Sequence, residues 1–304
     1  MMERFLDRLE QIVDREQILL NEPMKKHTTF KVGGPADIFV QLSNADELRE
    51  ILSSAKEYDM PVYIIGNGSN LLVGDLGYRG LIVQIYKNMN EIQVDGNQMK
   101  IQAGALLSAI AKKALEYSLG GFEFASGIPG TLGGAVAMNA GAYGGEMKHV
   151  IQKATVLTRD GELKELTVDE LQLGYRKSII IDKDYIVLEA VLELFPAEKA
   201  SIQEKMKECA QARKSKQPLE YPSAGSTFKR PVGYFAGKLI DDAGLRGFSY
   251  GGAQVSEKHC GFVINKDHAT AKDIVTLMKE VNRIVTKKFG VSLEPEVKMI
   301  GEFE

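Results

Sequence analysis

Tryptophan is absent from the 304 residues, and only two cysteines and four histidines occur. Cys209 and Cys260 stand far apart with no CxxC pair, which excludes a disulfide framework and a thiolate zinc site and fits a reducing compartment. His27, His149, His259 and His268 never take the HExxH or paired spacing that sets two ligands on one helix face, so no protein metal site is expected. An excess of charge of one sign is also lacking. With 38 Lys+Arg against 41 Asp+Glu the formal net charge is -3, which removes the bulk electrostatic case for nucleic acid or an anionic membrane as partner. No uncharged apolar run reaches the ~18 residues of a membrane span. The opening MMERFLDRLEQIVDREQ carries charges where a secretion signal needs unbroken apolar residues, so a cytoplasmic location is expected. Nine prolines, 26% charged and 44% hydrophobic residues exclude collagen-like and disordered chains.

What is present is about two domains' worth of chain. Phe5, Leu6, Leu9, Ile12 and Val13 recur at helical spacing and predict an amphipathic first helix packed on another element. TTFKVGGPADIFVQL reads as a strand pair around Gly33-Gly34-Pro35. Asn44 and Glu47 make a capping box for the helix that follows, and PVYIIG reads as a short buried strand. Asp95-Gly96 and Asp160-Gly161 each sit between alternating runs and predict hairpins. The helix ALLSAIAKKALEYSLGG is predicted to stop at Gly120-Gly121, and TVDELQLGYRKS to form a short capped helix. After Pro196 come a charged amphipathic helix at EKASIQEKMKECAQARKSKQ, helices at YFAGKLIDDAGL and TAKDIVTLMKEVNRIVTKKFG, and strands at HCGFVIN and VSLEPEVKMIG. No internal repeat is evident.

Two glycine-rich loops carry the functional signal. IIGNGSNLLVGDLG follows a predicted strand, as a phosphate cradle must, but Leu71 occupies the third glycine position of a dinucleotide fingerprint. Gly233-Tyr-Phe-Ala-Gly237-Lys238 is one residue short of a P-loop and continues with Leu239 in place of a hydroxyl. GNGSN offers backbone N-H groups with Ser69 and Asn70 as further donors, a composition suited to a pyrophosphate and equally to an ordinary glycine turn. The second loop, EFASGIPGTLGGAVAMNAGAYGGE, lies in a window from 120 to 145 that holds nine of the 30 glycines and almost no charge. Backbone would form its surface, with Thr131 or Ser126 capping a short helix whose first N-H groups face a phosphate or ring carbonyl. Close packing of helices through small residues is the competing reading.

GNGSNLLV, GFEFASGIPGTLGGAVAMNAGAYGGE, LGYRKS, PSAGSTFKRP and LEPEVKMIG, in this order over roughly residues 25 to 301, resemble the UDP-N-acetylenolpyruvoylglucosamine reductase family. The resemblance implies an α+β fold: an FAD-binding lobe of the vanillyl-alcohol-oxidase (PCMH) type plus a smaller α/β substrate-binding lobe. The expected layout is an N-terminal helix at 1–20, the FAD domain at 21–197 and the substrate domain at 198–304, with the last strand able to return to the FAD domain. It further implies noncovalent FAD, NADPH as reductant, and UDP-N-acetylglucosamine enolpyruvate as substrate, reduced to UDP-N-acetylmuramate in peptidoglycan precursor synthesis by a monomer. Carried over by motif, Gly66, Asn67, Gly68, Ser69, Asn70, Leu71, Gly127, Ile128, Pro129, Gly130, Thr131, Gly133 and Gly134, with Asn139 and Gly141, would hold FAD. No insertion for a tyrosine-bearing lid follows LGYRKS, which matches the shorter type of the family. An oxidase of the same fold, or a nonredox nucleotide-sugar binder, would use the same loops differently.

The implied reaction adds hydride and a proton across an enol ether conjugated to a carboxylate, so charge builds on that carboxylate. By resemblance Arg176 stabilises it, Ser226 delivers the proton and Glu296, rather than Glu294, hydrogen-bonds the intermediate as a protonated acid. Lys229 and Arg230 are the nearest cations for the substrate diphosphate, with Lys238 behind them; an asparagine often stands at the place of Arg230 in the family. His259 reads best as a neutral core histidine.

Overall fold

The alternating runs around Asp95-Gly96 and Asp160-Gly161 fold as the hairpins that their turn residues predict. Ile92–Asp95 pairs with Gln98–Gln102, and Ile151–Leu157 with Leu163–Thr167. In the computed structural model, which describes residues 2–303, strand Ile186–Glu193 joins both hairpins into a five-stranded antiparallel sheet. Ala154, Ala190 and Ile101 lie side by side across it, all buried, so this face of the sheet is core. Helix Leu132–Ala137 packs on the central strand Ile186–Glu193. Gly133 allows the close approach: a Cβ there would stand 3.1 Å from that of Ala103.

That sheet belongs to the first of two units, made of residues 2–19, Phe39–Asn67 and Leu81–Ala212. Its amino-terminal helix, Met2–Leu9, buries Phe5 and Leu9 and packs on helix Ala45–Glu57, with the Phe5 and Tyr58 rings 5.7 Å apart. The Asn44 side chain accepts from the Glu47 N-H at 2.9 Å, the cap that the sequence predicts.

The second unit comprises Leu20–Ile38, Gly68–Gly80 and residues 213–303. Strands Ser249–Tyr250, Ala253–Val255 and Val263–Asn265 form an antiparallel sheet against the long helix Ala271–Phe289. Thr270 and Asp273 cap that helix reciprocally, and Gly290 ends it at φ +69°. Phe30, Val32 and Leu72 from the early segments share one core with Phe228, Val255, Leu277 and Val281. Two further links tie Gly68–Gly80 into this unit. Leu71–Val73 pairs in parallel with the last strand, Lys298–Ile300. The Asp75 carboxylate accepts from the Ala271 and Lys272 N-H groups, each at 2.8 Å, at the start of the long helix.

Several expectations change. The segment before Gly33-Gly34-Pro35 is not a strand: Lys31 is left-handed at φ +58°, and the Thr28 hydroxyl donates to the Val32 carbonyl, so only Pro35–Gln41 is extended. Helix Leu107–Glu116 stops earlier than Gly120-Gly121, with Ser118 taking the left-handed position at φ +60°. TVDELQLGYRKS is no capped helix but a run of turns leading into the short helix Ile179–Asp182. Helix Lys199–Lys216 buries Ile202 alone, so charge there marks a solvated rod rather than an amphipathic face.

Because a carboxylate that accepts two helix N-terminal N-H groups contributes roughly 1–2 kcal/mol, Asp75→Ala is expected to lower the unfolding free energy by about that much in urea titrations. Asp75→Asn should recover part of it.

Candidate functional site

In the first unit, strand Val62–Ile65 lies parallel to Leu81–Gln84 and delivers Gly66 and Asn67 at its end. Buried Gln84 donates to the Gly66 carbonyl at 3.1 Å, satisfying backbone where the strand stops. Gly66 faces Thr131, and a Cβ on it would come 2.2 Å from the Thr131 Oγ1. The Asn67 amide donates to the Pro129 carbonyl at 2.7 Å. The start of the first loop and the second glycine window therefore share one surface. Gly127, Pro129 and Gly134 are exposed on it, Ile128, Gly130 and Gly133 partly so, while Thr131 is buried.

One expectation for this surface fails. The N-H groups of Leu132 and Gly133 donate to the carbonyls of Ala105 and Ala103, at 2.9 and 2.8 Å, so the first N-H groups of the short helix hold chain, not a ligand. Thr131 occupies the N-cap position without a side-chain capping bond, and the Ser126 hydroxyl donates to the Glu123 carbonyl. The small residues there serve close packing as well.

Arg176 also sits in the first unit, on a two-residue turn closed by Gly174 N-H to Lys177 O at 3.0 Å and Lys177 N-H to Gly174 O at 3.2 Å. Its φ is +53°, a left-handed conformation that costs a non-glycine residue about 1–2 kcal/mol. Its guanidinium lies 5.2 Å from the Tyr175 ring centroid. Asn139, 1% exposed, uses its amide wholly inside the protein. It donates to Glu146 Oε2 at 3.1 Å and to the Gly174 carbonyl at 3.2 Å, and accepts from Lys148 N-H at 2.9 Å. Gly141 pairs with Glu146 just beyond.

The second unit carries the remaining residues. Gly68 is left-handed at φ +60°, and a Cβ there would stand 2.0 Å from the His27 carbonyl oxygen, so only glycine fits. Asn70 donates to the Glu296 carbonyl at 3.2 Å and accepts from Lys298 N-H through its own carbonyl at 3.0 Å; Leu71 is buried. Phe228 bridges Pro295, and the Thr227 carbonyl accepts from Glu296 N-H at 2.8 Å. This pairing brings half-buried Ser226 and Glu296, 8% exposed, onto neighbouring strands of chain. Thr227 is fully buried: its N-H donates to Gly261 O and its hydroxyl oxygen accepts from Val263 N-H, both at 2.8 Å. Regular alternation would set Glu294 and Glu296 on one face. Only an isolated bridge forms here, at Pro295, and Glu294 stays at the surface in an ion pair with Lys229 while Glu296 is buried.

Lys238 is likewise paired, with Asp242, and the Arg230 guanidinium stacks 4.7 Å from the Phe235 ring centroid. His259 accepts from Gly261 N-H at Nδ1, 3.0 Å, and burial lowers its pKa, which keeps it neutral at pH 7. Burial pushes the Cys260 thiol up to about 11 and raises that of Cys209, so neither is a ready nucleophile. Gln84, Thr227 and Ser178 are the residues that sequence reasoning passed over. A polar side chain inside an apolar strand was the available signal for Gln84.

Neither loop contains Lys, Arg, His or Cys. An uncharged, backbone-rich surface of this kind fits a flavin nucleotide. Fold and surface together define a flavin-binding protein of the α+β class. A family model described as FAD binding domain matches residues 36–167, and one described as UDP-N-acetylenolpyruvoylglucosamine reductase, C-terminal domain, matches residues 217–300. UDP-N-acetylenolpyruvoylglucosamine reductase of Agathobacter rectalis is 59% identical over 298 residues, covering 94% of this chain and 95% of its own. The crystal structure of the enzyme of that name from Thermus caldophilus aligns with a TM-score of 0.79 at 35% identity, over 93% of this chain and 98% of that one. The chain belongs to the UDP-N-acetylenolpyruvoylglucosamine reductase family. At the level of fold alone, 4-ethylphenol oxidase from Gulosibacter chungangensis aligns with a TM-score of 0.52 and 14% identity, over 64% of this chain and 43% of that one. The expected FAD-binding domain and α+β fold are thereby met.

Because the folded-state pKa of His259 lies below its ordinary 6.5, the unfolded chain takes up the proton first as pH falls. Stability is therefore expected to be fully present above about 6.5 and to decline as pH drops from there toward the folded value. His259→Gln should flatten that decline in urea unfolding measured across the same range.

Proposed function

We propose that this chain is an NADPH-dependent flavoenzyme that reduces UDP-N-acetylglucosamine enolpyruvate to UDP-N-acetylmuramate, acting in the cytoplasm as a monomer in peptidoglycan precursor synthesis. Family membership over nearly the whole chain is the observation that carries this reading. Among the described residues no helix is long and apolar enough to cross a membrane. Gly66 to Leu71, Gly127 to Gly134, Asn139 and Gly141 would hold FAD, chiefly through main-chain groups. When bound, the flavin would supply hydride for the terminal vinylic carbon of the substrate. Arg176 holds the substrate carboxylate as negative charge moves onto it. Ser226 gives its proton to the adjacent carbon, as the last member of a relay or against a strongly basic enolate. Glu296 hydrogen-bonds the same enolate, and the pairing of Thr227 with Glu296 supports their joint use. Lys229 and Arg230 bind the diphosphate.

The direct test is NADPH oxidation that depends on the enolpyruvyl sugar nucleotide, with initial-rate lines that run parallel as a ping-pong order requires. Intersecting lines contradict that order, and oxidation indifferent to the sugar nucleotide contradicts the substrate. Ser226→Ala should leave flavin reduction at its normal rate and slow the second half-reaction by about 10²–10⁴. For Glu296, the Gln variant should retain more activity than the Ala variant, since an amide still donates; equal losses count against the donor role.

A further inference from the structure

The turn that carries Arg176 is held from both sides by buried polar side chains whose hydrogen bonds reach across the sequence. Ser178, two residues after Arg176 and 0% exposed, donates its hydroxyl to the Ala137 carbonyl at 2.6 Å. Asn139, 1% exposed, donates to the Gly174 carbonyl, two residues before Arg176, at 3.2 Å. Both anchors, residues 137 and 139, lie at the end of helix Leu132–Ala137, which itself packs on strand Ile186–Glu193. Arg176 between them is in the left-handed conformation, at φ +53°. A non-glycine residue rests in that region only where its surroundings over-determine it.

We infer that Asn139 and Ser178 are positioning residues that hold the Arg176 turn in its left-handed form and so aim the guanidinium at the substrate carboxylate. This rests on the reading of Arg176 under Proposed function. The asparagine amide suits this role because both of its donor hydrogens and its oxygen have partners, in Glu146, Gly174 and Lys148. Such an amide has one orientation. The same glycine window that offers main chain to the flavin thereby also fixes the cation. Ser178 acts only through Arg176, because its hydroxyl is committed to the Ala137 carbonyl in the interior.

A double-mutant cycle on the flavin-loaded protein tests this, using Ser178→Ala, Arg176→Ala and both together. Stopped-flow reoxidation of the reduced enzyme by the enolpyruvyl sugar nucleotide gives the rate. Reduction by NADPH, flavin content and the affinity of the oxidised enzyme for UDP-N-acetylmuramate, read from the shift in flavin absorption, are controls outside that step. Ser178→Ala should slow reoxidation about tenfold or more while leaving reduction and flavin content unchanged. In the Arg176→Ala background it should add less than about a twofold further loss. If Arg176→Ala is slow and the two losses multiply, Ser178 is merely structural and the inference fails while the reading of Arg176 stands. If Arg176→Ala reoxidises normally, that reading fails and the inference falls with it. Should Ser178→Ala shed flavin, Ser178→Cys takes its place in the cycle and is held to the same non-additivity. Ser178→Cys, which retains a weak donor, should recover part of the rate.

Discussion

Irregular backbone held by buried polar side chains is the constraint on which this protein depends. Most residues given a chemical role lie in loops or at the ends of helices and strands, where main-chain groups need partners that secondary structure does not supply. Gln84 serves Gly66, Asn139 serves Gly174, Ser178 serves Ala137, Asn70 serves Glu296, and Thr227 serves Val263. Each such bond contributes only about 1 kcal/mol net, but leaving its buried partner unmade costs about 1–3 kcal/mol, so the loops have one low-energy arrangement rather than several.

The arrangement also separates two uses of glycine. At Gly66 and Gly68 a side chain would collide with Thr131 and with the His27 carbonyl, so these positions are fixed by the chain's own packing. Gly134 is exposed, and a Cβ there would find its nearest neighbour at 3.8 Å, so its small size leaves surface open instead. A loop can therefore be glycine-rich for internal reasons and still present an uncharged surface to a nucleotide. Charge is matched in a similar way in the second unit, where Lys229 and Lys238 each face a carboxylate.

Much of the fold was legible because local rules and tertiary context agree. The Asp-Gly hairpins, the Asn44 cap, and the capped helix ending at Gly290 follow from turn and cap chemistry alone. In one misread segment a long-range bond overrides local preference. LGYRKS carries residues suited to a helix start, yet Ser178 reaches back to Ala137 and Arg176 turns left-handed. The site residues were legible mainly through resemblance, since Ser226 or Glu296 taken singly is an unremarkable turn or surface type. What neither pattern nor resemblance supplied was the pairing of Thr227 with Glu296, which joins segments far apart in the chain and leaves no periodic trace.

The central claim is that electrons carried by a flavin in this protein are meant for a vinylic sugar nucleotide. The most direct measurement is anaerobic: the yellow protein is bleached with one equivalent of NADPH, and UDP-N-acetylglucosamine enolpyruvate is then added in known amount. Return of the flavin absorption in one-to-one proportion to the sugar nucleotide, with UDP-N-acetylmuramate as product, is the predicted result. Colour that returns only when oxygen is admitted contradicts the claim.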